Sequence, residues 1–97
     1  MRYEELITKA LAGFRSENEA AKAMGITQPT LNRYVKGKTL PDFLNTLRLA
    51  KQAKVSANEA LDAVAIETAK REGALELVKQ FFRKPLNAAN RGRLLKA

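Results

Sequence analysis

The stretch Ser16–Lys38, SENEAAKAMGITQPTLNRYVKGK, holds two short helical patterns joined at a glycine, with polar and basic residues crowding the second. Ser16 followed three positions later by Glu19 is the spacing in which a serine hydroxyl caps an orphan amide and the glutamate returns to the cap's own amide. Ala20, Ala21 and Met24 form a narrow apolar stripe, and Gly25 stands where the chain leaves the helix, a place for the positive φ that glycine adopts at least cost. Ile26 re-enters the core, and Thr27 or Gln28 caps the next helix. Pro29 fits that helix's first turn, where its missing amide proton has little to donate to, and the residue before a proline resists helical geometry, which favours Gln28 as the cap. Leu31, Tyr34 and Val35 take the inward side, and Gln28, Pro29, Asn32, Arg33 and Lys36 the outward one, before Gly37 ends the helix.

Helical spacing continues on both sides of this unit, so the fold class is all-α. Tyr3, Ile7, Ala10, Leu11 and Phe14 line one face of a first helix from Tyr3 to Phe14. Pro41 starts a fourth helix reaching Lys54, whose Leu44, Leu47 and Ala50 close the bundle. Ser56 and Glu59 repeat the capping-box spacing and open a fifth helix that runs to Arg83, with Gly73 as a bend or break and Pro85 as a stop. The expected organisation is a core over residues 1–55, a long C-terminal helix over 56–84 and a basic, flexible tail over 85–97.

Composition bounds the chemistry. The 97 residues suffice for one modest core. There is no cysteine and no histidine, which removes disulfides, thiolate metal sites and the commonest catalytic base. The reading is a non-enzyme with no cofactor, no metal and no small-molecule substrate. No run approaches membrane-spanning length and the N-terminus lacks a signal-peptide core, so a cytoplasmic location is expected. The net charge of +8 favours acidic partners, above all nucleic acid. Residues 1–40 carry seven basic against four acidic groups, 56–78 carry two against five, and 79–97 carry six against none.

The order Ala21, Gly25, Ile26, Thr27, Leu31, Tyr34, Gly37 and Pro41 is the spacing of a helix-turn-helix. A small Ala21 lets two helices cross closely, Gly25 makes the turn, and Leu31 anchors the second helix so that its opposite face projects into a major groove. The stretch resembles the phage repressor class typified by lambda and 434 repressor and Cro, over roughly residues 3–54. The whole chain looks like a narrower family of small phage-related proteins found with filamentous bacteriophages and their bacterial hosts. In that family a stretch like LRLAKQAKVSANEALDAVAIETAK leads into a further helix, which extends the likeness to roughly residue 82. The resemblance implies a lambda-repressor-like bundle of about five helices with a long C-terminal helix. It also implies a double-stranded DNA-binding transcriptional regulator, a phage or prophage repressor working in the bacterial cell.

Ala21, Gly25, Ile26 and Leu31 are scaffold on either reading. Gln28 sits at the helix tip, where its amide can pair with adenine N6 and N7, and Pro29 can meet a thymine methyl. Asn32 and Arg33 lie one turn further along the same face, so all four are candidate base contacts. Lys36, Lys38 and Thr39 follow the helix where relatives meet the DNA backbone, and the resemblance adds Asn18 and Thr27 as phosphate contacts. The class often has glutamine at the start of helix two, where this chain has Glu17 and Asn18, so the contact there falls to Asn18.

Leu61, Val64, Thr68, Leu75, Val78 and Phe82 recur at helical spacings, with Leu77 and Phe81 beside them. A helix that long overhangs a small bundle at about 1.5 Å per residue, so its far half needs an apolar partner. A homodimer joined through Leu75, Val78, Phe81 and Phe82 supplies one. The competing class is a helical protein-interaction module, an adaptor or antitoxin-like protein using the 75–82 surface. Salt-dependent, sequence-preferring binding to duplex DNA separates the two.

Overall fold

The capping and periodicity signals above resolve into six α-helices in a computed structural model that describes residues 1–82, with positions 78, 79, 81 and 82 described as backbone. They are α1 (Tyr3–Leu11), α2 (Glu17–Met24), α3 (Gln28–Lys36), α4 (Phe43–Ala53), α5 (Ala57–Glu72) and α6 (Leu75–Phe82). Helices α1, α4 and α5 pack on one another, α2 and α3 pair beside them, and α6 contacts α5. Leu6, Leu31 and Leu49 lie at the centre, fully buried, and each contributes about 1.5–3 kcal/mol by leaving water. Alanines fill the rest: Ala10, Ala20, Ala21, Ala50, Ala60 and Ala63 are all buried.

The helix ends explain why the chain turns where it does. Ser16 Oγ accepts from the Glu19 amide at 3.1 Å, but the Glu19 carboxylate reaches one residue past the cap, to the Arg15 amide at 3.1 Å. The reciprocal box is complete at α5, where Ser56 Oγ accepts from the Glu59 amide and the Glu59 carboxylate from the Ser56 amide. At the turn after α2 the Gly25 amide donates to the Lys22 carbonyl and the Ile26 amide to Ala21, with Gly25 at φ 75°. This paired closure satisfies two orphan carbonyls and needs a left-handed residue. The same closure recurs after α4, where the left-handed position is held by Lys54 at φ 60°.

Several expectations are corrected. Thr27, not Gln28, caps α3: its Oγ1 accepts from the Thr30 amide, leaving Gln28 and Pro29 as the first two helical residues. The second helical position also lacks an intrahelical acceptor, so proline fits there equally, and a short hydroxyl side chain caps where a glutamine side chain is too long. Helix α4 begins after Pro41, because the Asp42 carboxylate accepts from the Asn45 amide at 2.8 Å and so sets the cap one residue later than the proline. Leu44 does not close the bundle; it is 57% exposed and Phe43 is 61% exposed, while Thr46 and Leu49 face inward. Helix α1 ends at Leu11, and Phe14 packs on the core from the following turn.

The long C-terminal helix is two helices. Gly73, at φ 72°, caps α5, and the Ala74 amide donates back to the Ala69 carbonyl at 2.8 Å, so the chain turns instead of continuing. Of the sequence stripe Leu61, Val64, Thr68, Val64 is buried while Leu61 and Thr68 are half-buried, and Ala60, Ala63 and Ala69 make up the rest of the buried face of α5. Small residues let α5 approach α1 and α4 closely, and a leucine stripe would hold it away. The expected tail over 85–97 lies outside the described residues.

Candidate nucleic-acid interface

Helix α3 is fixed from behind before its front can be used. Leu31 is fully buried and Tyr34 nearly so. The Tyr3 hydroxyl of α1 donates to the Tyr34 carbonyl at 2.8 Å, and Asn45 Nδ2 of α4 donates to the Tyr34 hydroxyl at 2.8 Å. Arg48 Nη1 in turn donates to Asn45 Oδ1. The C-terminal turn of α3 is thus held by two other helices through side chains whose polar atoms are paired, and burial pushes the Tyr3 phenol well above the usual tyrosine range. Behind the same turn, a Cβ on Gly37 would stand 3.0 Å from Arg71 Nη2, so α5 also closes on this helix end.

The opposite face of α3 is polar and cationic. Pro29, Arg33 and Lys36 are exposed, and Lys38 and Thr39 follow them into solvent. The Lys38 amide donates to the Arg33 carbonyl at 2.9 Å, which closes the end of α3 and holds the backbone of exposed Lys38 to its last turn. Gln28 and Asn32 are only half-exposed, for a reason that no local pattern reveals. Both amides donate to the same oxygen of Glu17 at the start of α2: Gln28 Nε2 at 2.8 Å and Asn32 Nδ2 at 2.9 Å.

The four candidate base-contact residues, Gln28, Pro29, Asn32 and Arg33, therefore share one face. Each tethered amide spends one proton on Glu17 and keeps an oxygen and a second proton, enough for a bidentate pair with adenine. Among the candidate phosphate contacts, Asn18 is exposed beside Glu17. The Thr27 hydroxyl is exposed but already caps α3 and donates to Thr30 Oγ1 at 2.8 Å. Of the candidate dimer residues, Leu75 is half-buried, and the side chains of Val78, Phe81 and Phe82 lie outside the described ones. Their neighbour Leu77 is 57% exposed.

Sequence reasoning passed over Glu17 as a residue of the face, and it also missed Asn45 as a support. Both act across helices: Glu17 reaches residues 11 and 15 positions away. Among the described residues no group of three acidic or metal-ligating side chains converges, and no helix is long and apolar enough to cross a membrane.

Residues 15–59 match the model of a family described as helix-turn-helix, a span from the cap of α2 to the first turn of α5. Over this segment, which is under half of the chain, the sequence is similar to helix-turn-helix domains of the lambda and 434 repressor kind, a kind that suggests a DNA-binding transcription regulator and is typically non-enzymatic. No curated protein and no solved structure matches the chain.

Proposed function

We propose that this helix-turn-helix domain reads a specific double-stranded operator and acts as a transcriptional repressor, with α3 lying in the major groove. The observation that carries the reading is the two-sidedness of α3: Leu31 and Tyr34 lock it to the bundle, while Pro29, Arg33 and Lys36 stand free on the other side beside two positioned amides. Arg33 suits a guanine edge through O6 and N7, Gln28 and Asn32 suit adenine, and Pro29 suits a thymine methyl. Lys36, Lys38 and Thr39, with Asn18 and Thr27 on the other flank, meet phosphates and supply affinity without sequence choice. The resemblance of the chain to phage-related proteins supports a repressor encoded with a phage or prophage and working in the bacterial cytoplasm.

The test is a binding selection on random duplexes followed by titration of the recovered site and a scrambled one across salt. The expected outcome is a preferred sequence, with affinity falling as salt rises for both duplexes. Equal affinity for the two at every salt overturns the reading.

One module contacts few base pairs, so a useful operator calls for two copies on half-sites about 34–36 Å apart. A homodimer through Leu75, Val78, Phe81 and Phe82 of α6 supplies them, and the exposure of Leu77 on the same helix supports an apolar partner there. In sedimentation, a Phe81→Asp, Phe82→Asp variant is expected to stay folded but monomeric and to lose cooperative operator binding. A wild type that stays monomeric at high concentration, with or without operator, refutes the dimer. The exposed Leu77 also fits the second reading, a protein-interaction module, which the DNA selection excludes if it returns a motif.

A further inference from the structure

Glu17 is an odd residue to find where a protein faces DNA. It is the first residue of α2, next to a candidate phosphate contact at Asn18, and its carboxylate repels every duplex alike. A negative side chain does favour a helix N-terminus, but Glu19 already serves the first turn of α2, and solvent would satisfy Glu17 as well as two amides do. Instead one carboxylate oxygen, Oε1, accepts from both Gln28 Nε2 and Asn32 Nδ2.

A carboxylate accepts and does not donate, whereas an amide offers an oxygen and a nitrogen that are close to interchangeable in shape. The two amides therefore can meet Glu17 only through nitrogen, which turns both amide oxygens away from it. Gln28 and Asn32 lie one helical turn apart, so the outward face carries two fixed acceptors in a row. In the major groove the donors that match them are adenine N6 and cytosine N4. An unsupported glutamine or asparagine flips its amide freely and accepts either kind of base edge.

Resting on the DNA-reading function above, we propose that Glu17 is a positioning residue that fixes the donor and acceptor pattern of Gln28 and Asn32 and so sets base preference. Its charge meanwhile lowers binding to duplexes in general. A matched operator recovers what the charge costs by donating to the two held oxygens; a mismatched one does not. Glu17 thereby trades affinity for discrimination.

Glu17→Gln tests this with little change of shape, and Glu17→Ala removes the side chain. Both full-length variants and the wild type are titrated against the selected duplex and a scrambled duplex of equal length, with thermal melting as a check on folding. Side-chain amide proton spectra of the free proteins supply a readout that needs no DNA. In the wild type, the Gln28 and Asn32 amide protons are expected to be shifted apart by the bond to Glu17, and in Glu17→Ala, which removes the acceptor, to collapse toward ordinary values; in Glu17→Gln, whose amide can turn either oxygen or nitrogen to them, the shift is expected to be smaller than in the wild type. Glu17→Gln is expected to bind the scrambled duplex more tightly than the wild type does, while the ratio of selected to scrambled affinity falls about tenfold. Unchanged discrimination in both variants, or unchanged amide spectra in Glu17→Ala, overturns the role of Glu17 and leaves the proposed function standing. A wild type that binds the two duplexes alike overturns the function on which this role rests, and the role with it.

Discussion

Replacing Tyr3 by phenylalanine removes one oxygen from the contact that holds α3, and the consequences for stability follow from the geometry. Tyr3 is 5% exposed, and its hydroxyl donates to the Tyr34 carbonyl at 2.8 Å. That carbonyl also accepts from the Gly37 amide at 3.1 Å, so it keeps a partner in the variant. The loss is therefore that of one ordinary hydrogen bond, about 1 kcal/mol, without the larger penalty of an orphaned group. For a domain of this size it corresponds to a fall of about 4–8 °C in melting temperature. The pH dependence adds a second signature. Burial raises the phenol's pKa above its ordinary 10.0, so the folded state holds the proton more tightly than the unfolded chain. The stability that this contributes is full below the unfolded pKa and is lost as pH rises toward the folded one, at up to about 1.4 kcal/mol per pH unit. Phenylalanine has no such proton. Denaturant melts at a series of pH values should show the wild type ahead by about 1 kcal/mol at neutral pH, and the gap closing about one unit above pH 10. A gap that stays constant from pH 9 to 11, or no gap at all, refutes the buried bond.

Other perturbations separate scaffold from the proposed DNA-contact face. Ala21→Leu places a branched side chain where α2 meets the core and is expected to cost about 1–3 kcal/mol in chemical denaturation, with DNA affinity lost in parallel. Lys54→Gly relieves the left-handed φ of 60° at the end of α4 and should stabilise by up to about 1 kcal/mol in thermal melts, leaving DNA binding unchanged. Gln28→Ala is expected to relax preference at one base position at a cost of about 1–3 kcal/mol on the selected duplex. Lys36→Ala should weaken selected and scrambled duplexes equally and reduce the salt slope by about one charge.

The sequence by itself determined the all-α class, the unit of α2 and α3, and the residues on the outer face of α3. Those features rest on local physics: the spacing of apolar residues, the serine caps, and glycines at left-handed turns after residues 24 and 36. It also marked Gly73 as an interruption, yet the apolar stripe on either side read as one long helix. Periodicity records which residues want to be buried and is blind to a change of direction between two segments that share a period. The structure shows the change of direction, because Gly73 adopts a left-handed φ, closes α5, and separates it from α6. It likewise decided that α5 buries Ala60 and Ala63 in place of Leu61, since close approach to α1 and α4 selects for small side chains and hydrophobicity alone selects for large ones. The chemistry of the outer face of α3 divides the same way. That Gln28 and Asn32 face outward follows from helical spacing within α3, but their orientation depends on Glu17, which only the crossing of α2 and α3 brings within hydrogen-bonding distance.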